Sequence, residues 1–205
     1  CEVDGFLAIH RYEDLALIRA LLDEIRPVLA VELGTGPGGF ARFLAKTVAS
    51  WGGQVVTYDR PSAPPTGIRH MYETLPEPGG VCRTDSIEVG FMDGAENLTY
   101  HSADVLVEDG DFDLRMLLRG TERAMLYCDN GHKERELFLY APDLTVGSVL
   151  GVHDYGTEVN PERAEAIARG HGYEPLWHER FAALADPESY PVSLTRFWQR
   201  WRGSR

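Results

Sequence analysis

Five carboxylates in this 205-residue chain stand at or just behind short apolar or β-branched runs. They are Glu32 after Val28–Val31, Asp59 after Gln54–Tyr58, Asp104 in Leu98–Val105, Asp129 after Ala124–Cys128, and Asp154 closing Gly147–His153. An ionised carboxylate accepts strong hydrogen bonds from hydroxyl or ammonium groups, and two together can ligate a hard divalent ion. Beside the last two acids are His132, Lys133 and His153, side chains able to take a proton. The chemistry on offer is therefore recognition of a polar ligand, proton removal, and metal ligation by oxygen and nitrogen.

The elements that must position these groups are legible in the pattern. The apolar run Val28–Val31 reads as a buried strand with Glu32 at its end, Gly34-Thr35-Gly36-Pro37-Gly38-Gly39 as a glycine turn, and Phe40–Val48 as an amphipathic helix. Strand, glycine turn and helix are the arrangement that holds a nucleotide-like ligand at a helix N-terminus. Pro37 suits a first helical position, where no amide donor is needed. Gly34-x-Gly36-x-x-Gly39 also matches the dinucleotide fingerprint, but Glu32 is awkward beside a pyrophosphate and well placed for an ammonium or a ribose. Asp59, twenty residues after Gly39, is where either an NAD enzyme or a methyltransferase holds ribose hydroxyls.

Elsewhere, Arg11–Arg26 carries Leu15, Ile18, Leu21, Leu22 and Ile25 at helical spacing and is ended by Pro27. Helices are expected over 111–118, 132–139 and 160–169, the last with Asn160 as cap and Pro161 at its first position. Strands are expected at 98–105, 124–129 and 147–154, then at 173–177 and 193–200 as an antiparallel ending, with a helical turn over 180–184 between those two. Alternation of this kind implies an α/β fold: a Rossmann-like, seven-stranded, mostly parallel sheet with helices on both faces and an antiparallel last strand. One domain over 1–205 suits the length. Residues 60–96 are punctuated by proline and glycine and read as an insertion or a lid in which Tyr72, Met71 and Phe91 could close over a substrate.

Glu-x-Gly-x-Gly-x-Gly resembles the first motif of class I S-adenosylmethionine (SAM) methyltransferases. Asp129-x-x-His132, Ala141-Pro142-x-Leu144-x-x-Gly147-Ser148-Val149 and His153-Asp154-Tyr155 together resemble the small metal-dependent O-methyltransferases of natural-product pathways, including the cephalosporin-hydroxylase-like and macrolide-sugar groups. The resemblance spans residues 28 to 156. It implies SAM held by Glu32, Gly34, Thr35, Gly36, Asp59 and Asp104, with Asp85 an alternative to Asp104. It further implies Mg²⁺ or another divalent cation on Asp129, His153 and Asp154, and a hydroxyl acceptor deprotonated by His132, Lys133 or His153. Here His153 stands where those groups carry an acid. The plainer alternative gives Asp129 a capping role and makes His153–Asp154 a hydrogen-bonded pair. Two other functions share the fold: an NAD-dependent oxidoreductase, against which the chain lacks a Tyr-x-x-x-Lys pair, and a non-catalytic SAM-binding module.

A net charge of −12 gives no basic face for nucleic acid, and no run is long and apolar enough to span a membrane. The expected partner is a small hydroxylated metabolite, in a cytoplasmic, reducing setting that suits Cys1, Cys82 and Cys128, which lack metal-ligand spacing. Association into a homo-oligomer is compatible with the sequence. Lys46 and Lys133 are the two lysines among twenty basic residues, which sets Lys133 apart.

Overall fold

Strands β3 (Leu29–Leu33) and β6 (Ala124–Cys128) are buried along their whole length, as centre strands covered on both faces must be. They pair in parallel, Leu29 opposite Ala124 and Leu33 opposite Cys128. β4 (Gln54–Asp59) and β5 (Leu98–Ser102) extend the sheet on one side of β3, and β7 (Val149–Tyr155) extends it beyond β6. A computed structural model describes residues 1–60, 91–107, 110–177, 179–180 and 194–201. The seven-stranded order is β5-β4-β3-β6-β7-β9-β8, where β8 is Tyr173–Leu176 and β9 is Leu194–Arg200. β9 runs antiparallel to both its neighbours, so the antiparallel strand lies inside the sheet and not at its edge.

Helices cover both faces. On one, Leu15, Ile18, Leu21 and Leu22 of α1 (Tyr12–Ile25) pack with Phe40 and Leu44 of α2 (Gly39–Ala49) against Ala30, Val55 and Met125. On the other, α3 (Phe112–Arg119), α4 (Lys133–Tyr140) and α5 (Pro161–Gly170) bring Leu114, Leu118, Leu137, Tyr140, Ala164 and Ala168 onto Val31, Leu126 and Leu150. Asp111 and Asn160 cap α3 and α5 through their side chains. The expected elements are therefore present, with ends shifted by a residue or two; the strand expected over 98–105 stops at Ser102. Most of the expected lid, including Met71, Tyr72 and Asp85, lies outside the described residues, as do positions 181–184 of the expected helical turn.

One element was not expected. β1 (Glu2–Val3) and β2 (Phe6–Leu7) form a hairpin whose turn, Asp4-Gly5, has both residues at positive φ, 53° and 87°. Asp-Gly between apolar residues is the sequence signal for such a turn. Asp4 is tied to Lys46 at 2.6 Å and Arg42 at 3.3 Å on α2. A Cβ on Gly39 would lie 2.3 Å from the Leu7 carbonyl oxygen, so the hairpin rests directly on the start of α2. That seat delivers His10 to the carboxyl end of the sheet.

Glu136, on the inner side of α4, is fully buried, and burial pushes its carboxyl up to about 8 from an ordinary 4.5. A raised carboxylate favours the folded state least when it must ionise, so its cost grows as pH rises from about 4.5 through 8. Glu136→Gln should therefore leave stability unchanged near pH 4 and raise Tm by about 3 °C or more at pH 8. Thermal unfolding across that pH range would show a flat difference if burial of the acid carries no cost.

Candidate active site

The strand order places the topological switch point between β3 and β6, where an open parallel sheet leaves a crevice. Across roughly 20 Å of sheet edge, at about 4.8 Å per strand, the acids follow one another in strand order: Asp104, Asp59, Glu32, Asp129, Asp154.

The glycine turn occupies the centre. Gly34 and Thr35 donate backbone N–H groups to the Tyr58 carbonyl, at 2.8 and 3.2 Å, and the Asp129 N–H bonds the Leu33 carbonyl at 2.8 Å. Gly34 has φ 99°, and a Cβ there would lie 2.6 Å from the Asp129 carbonyl oxygen, so only glycine lets the turn approach β6 this closely. Gly36 and Gly38 also have positive φ. Gly36 N–H donates to Asp59 Oδ2 at 3.0 Å, and Arg60 N–H to Oδ1 at 2.7 Å. Burial raises the Asp59 pKa, against these two donors and the Arg60 charge. Asp104 is half-exposed, accepts from Leu106 N–H at 2.9 Å and faces Arg60 at 3.8 Å.

Glu32, expected at the cofactor, is 1% exposed and lies beneath the turn. Thr57 donates its hydroxyl to Glu32 Oε2, and Thr35 meets Thr57 at 2.6 Å. Burial, with Asp129 and Asp59 nearby, holds the Glu32 carboxyl well above its usual range despite the Thr57 bond. Glu32 therefore braces the turn from beneath through two threonines, a support its position in the motif could not distinguish from direct contact.

Beyond β6, His153 and Asp154 both reach the same place although adjacent strand residues normally point to opposite faces. The reason is local. Asp154 adopts φ 57°, and the β7–β9 register shifts between Val152 and Tyr155, a bulge that re-aims the chain. His153 Nδ1 lies 3.1 Å from Asp129 Oδ1 and 3.4 Å from Asp154 Oδ2. Burial opposes charge on His153, but the hydrogen bond and charge of Asp129, aided by Asp154, outweigh it and raise the pKa. The Asp154 carbonyl accepts N–H bonds from Thr157, Glu158 and Val159, which folds Glu158 back toward α4. There the Lys133 ammonium sits 2.6 Å from Glu158, 2.8 Å from Asp154 and 3.7 Å from Asp129. Lys133, an alternative base by sequence, has its pKa raised by these acidic partners despite burial, which opposes that role. His132 is exposed at the N-cap of α4.

His10 joins this group without having been anticipated. Its ring stacks between Phe40, at 4.2 Å, and His153, at 4.4 Å, and Nε2 lies 3.0 Å from the Tyr127 hydroxyl. Burial and the neighbouring His153 hold its pKa well below the ordinary value. Among the described residues His10, Asp129 and His153 have ligating atoms within 4.8 Å of one another. The two imidazoles lie face to face, 23° from parallel, so their in-plane lone pairs do not converge on one point. The expected ligand set of Asp129, His153 and Asp154 has an ammonium against two of its carboxylates. As arranged, these side chains do not fit a divalent ion.

Solved methyltransferases superimpose on nearly the whole of this chain. The chain has the fold of the SAM-dependent methyltransferases. A Mg–SAM form of CmcI superimposes with a TM-score of 0.60 at 18% identity, over 96% of this chain and 76% of that one. A SAM-dependent O-methyltransferase from Thermotoga maritima gives 0.59 at 12%, over 97% and 69%. A precorrin-6y C5,15-methyltransferase from Geobacter metallireducens gives 0.56 at 13%, over 98% and 97%. No protein-family profile matches the chain, and no curated protein does. Neighbours that differ this much in name share the methyltransferase sheet, so the fold alone does not select the atom methylated.

Thr57→Val tests the brace. It keeps the side chain's shape and removes the hydroxyl that Thr57 donates to buried Glu32, so unfolding free energy should drop by about 1–3 kcal/mol. Chemical denaturation would detect no change if Glu32 found another donor.

Proposed function

We propose that this chain is a SAM-dependent methyltransferase acting on a hydroxyl group of a small hydroxylated metabolite. The observation that carries the reading is the division of the sheet edge at the switch point. A glycine turn and a strand-tip acid lie on one side, suited to a nucleoside, and a His153–Asp129 pair on the other, suited to proton removal. Gly34, Thr35 and Gly36 would present backbone to the cofactor, Asp59 would take the ribose hydroxyls in place of its bond to Gly36, and Asp104 would face the adenine. Bound there, SAM supplies a methyl group activated by its sulfonium. The protein's own task is to orient the acceptor and remove its proton.

His153 is the base that best fits the geometry. With Asp129 accepting from Nδ1–H, the neutral tautomer keeps its lone pair on Nε2, where the hydroxyl proton would go. Asp129 also stabilises the imidazolium that results. Exposed His132, the base favoured by sequence because an imidazole gives up its proton more readily than an ammonium, lacks such an orienting partner among the described residues. The hydroxyl acceptor rests on the resemblance to natural-product O-methyltransferases, and the strongly acidic composition favours a small molecule over nucleic acid.

SAM and S-adenosylhomocysteine should each raise Tm, and NAD should not. Asp59→Ala should weaken both by about tenfold or more, the loss of a charged hydrogen bond. Calorimetric titration that finds NAD bound and SAM ignored would replace this reading with the oxidoreductase.

Once an acceptor is found by screening small hydroxylated compounds, methyl transfer should rise with pH along a limb above the ordinary histidine value, because His153 must lose its proton. Asp129→Asn should move that limb to lower pH and cut the rate by about 10²-fold or more. A pH profile unmoved by the substitution would exclude His153 as the base.

A further inference from the structure

The carboxylates that a metal-assisted methyltransferase would offer to a divalent ion are already bridged in this chain by a cation of its own. Lys133 Nζ touches Glu158 Oε2 at 2.6 Å and Asp154 Oδ2 at 2.8 Å and lies 3.7 Å from Asp129 Oδ1, with only 6% of the side chain exposed. Three separate elements converge on it: the end of β6, the bulged end of β7, and the turn that returns Glu158.

The placement runs against local preference. Lys133 opens α4, and a cation at a helix N-terminus is opposed by the helix dipole. A buried lysine there is sustained by the acids around it, three of them against one ammonium. A divalent ion bound at about 2.1 Å from Asp154 Oδ2 would lie within about 5 Å of that ammonium, which repels it. The ligand set has also lost an oxygen donor to His153, whose Nδ1 is engaged with Asp129 at 3.1 Å.

We propose that the Lys133 ammonium is the resident cation of this site, holding Asp129 and Asp154 in place beside the acceptor as a divalent ion would, so that methyl transfer here needs no metal. Lys133 is thus a positioning residue. It fixes Asp129, which in turn orients His153. The role in transfer rests on the methyltransferase reading; the occupancy of the cation site does not.

The test removes the cation and asks whether a metal takes its place. Wild type, Lys133→Met and Lys133→Arg are each titrated with Mn²⁺ and Mg²⁺ by calorimetry, and Mn²⁺ is followed by electron paramagnetic resonance. Wild type and Lys133→Arg should show no saturable site. Lys133→Met, which leaves the acids uncompensated, should gain one, at least about tenfold tighter than any binding to wild type and abolished by adding Asp129→Asn. A stoichiometric Mn²⁺ site in wild type that disappears with Asp129→Asn would overturn the proposal, as would a folded Lys133→Met protein with no gain. If Lys133→Met does not fold, the wild-type and Lys133→Arg titrations still decide the matter. SAM titration of the same samples separates the two readings: a chain that gains the metal site on losing Lys133 but binds no SAM refutes the methyltransferase assignment and leaves the internal cation standing.

Discussion

Everything at the carboxyl edge of this sheet depends on how closely the turn after β3 approaches the end of β6. Gly34 lies where a single added carbon would strike the Asp129 backbone, and Leu33 and Asp129 share a hydrogen bond across the same gap. That contact fixes the spacing between the glycine turn and the end of β6. It also sets Asp129 at a known height relative to the glycine turn, so groups on the two sides of the switch point are held in one frame. Two buried threonines and Glu32 support the turn from below, which makes its shape a property of packed neighbours and not of the loop alone.

The second theme is the handling of negative charge. The chain is strongly acidic, and several acids lie at or under the site; burial raises the pKa of Glu32, Asp59 and Glu136. Burying carboxylates is tolerable when each is protonated, hydrogen-bonded or paired. Glu32 takes a hydroxyl, Asp59 takes two backbone N–H groups, and Asp129 and Asp154 share a histidine and a lysine. Such arrangements concentrate where chemistry is done, because they hold groups away from the states water would choose.

The fold was legible because its signals are local: apolar runs of strand length, helical spacing in Arg11–Arg26, a glycine turn, and Asn160-Pro161 at a helix start. The grouping of Asp129, His153 and Asp154 followed from strand order. What stayed hidden depends on three-dimensional neighbours. His10 precedes a helix in an otherwise unremarkable segment, and only the seat of the hairpin on Gly39 brings it to His153. Lys133 is read from sequence as a helix-start lysine because nothing nearby announces that Glu158 will fold back over it. Glu32 stands at the end of its strand as expected, but its support of the turn through Thr57 and Thr35 was not legible, since a buried brace and a ligand contact occupy the same position in the motif.

The internal position of β9 bears on how the site comes into being. β7 carries His153 and Asp154, yet one of its edges stays open until β9, far along the chain, inserts between it and β8. The half of the sheet that holds the glycine turn is complete once β6 has been made. During synthesis the side that holds the glycine turn and Asp59 can therefore take shape early. The side that holds His153 must wait for the last strand, because the bulge that turns His153 and Asp154 toward Asp129 is defined by pairing with β9.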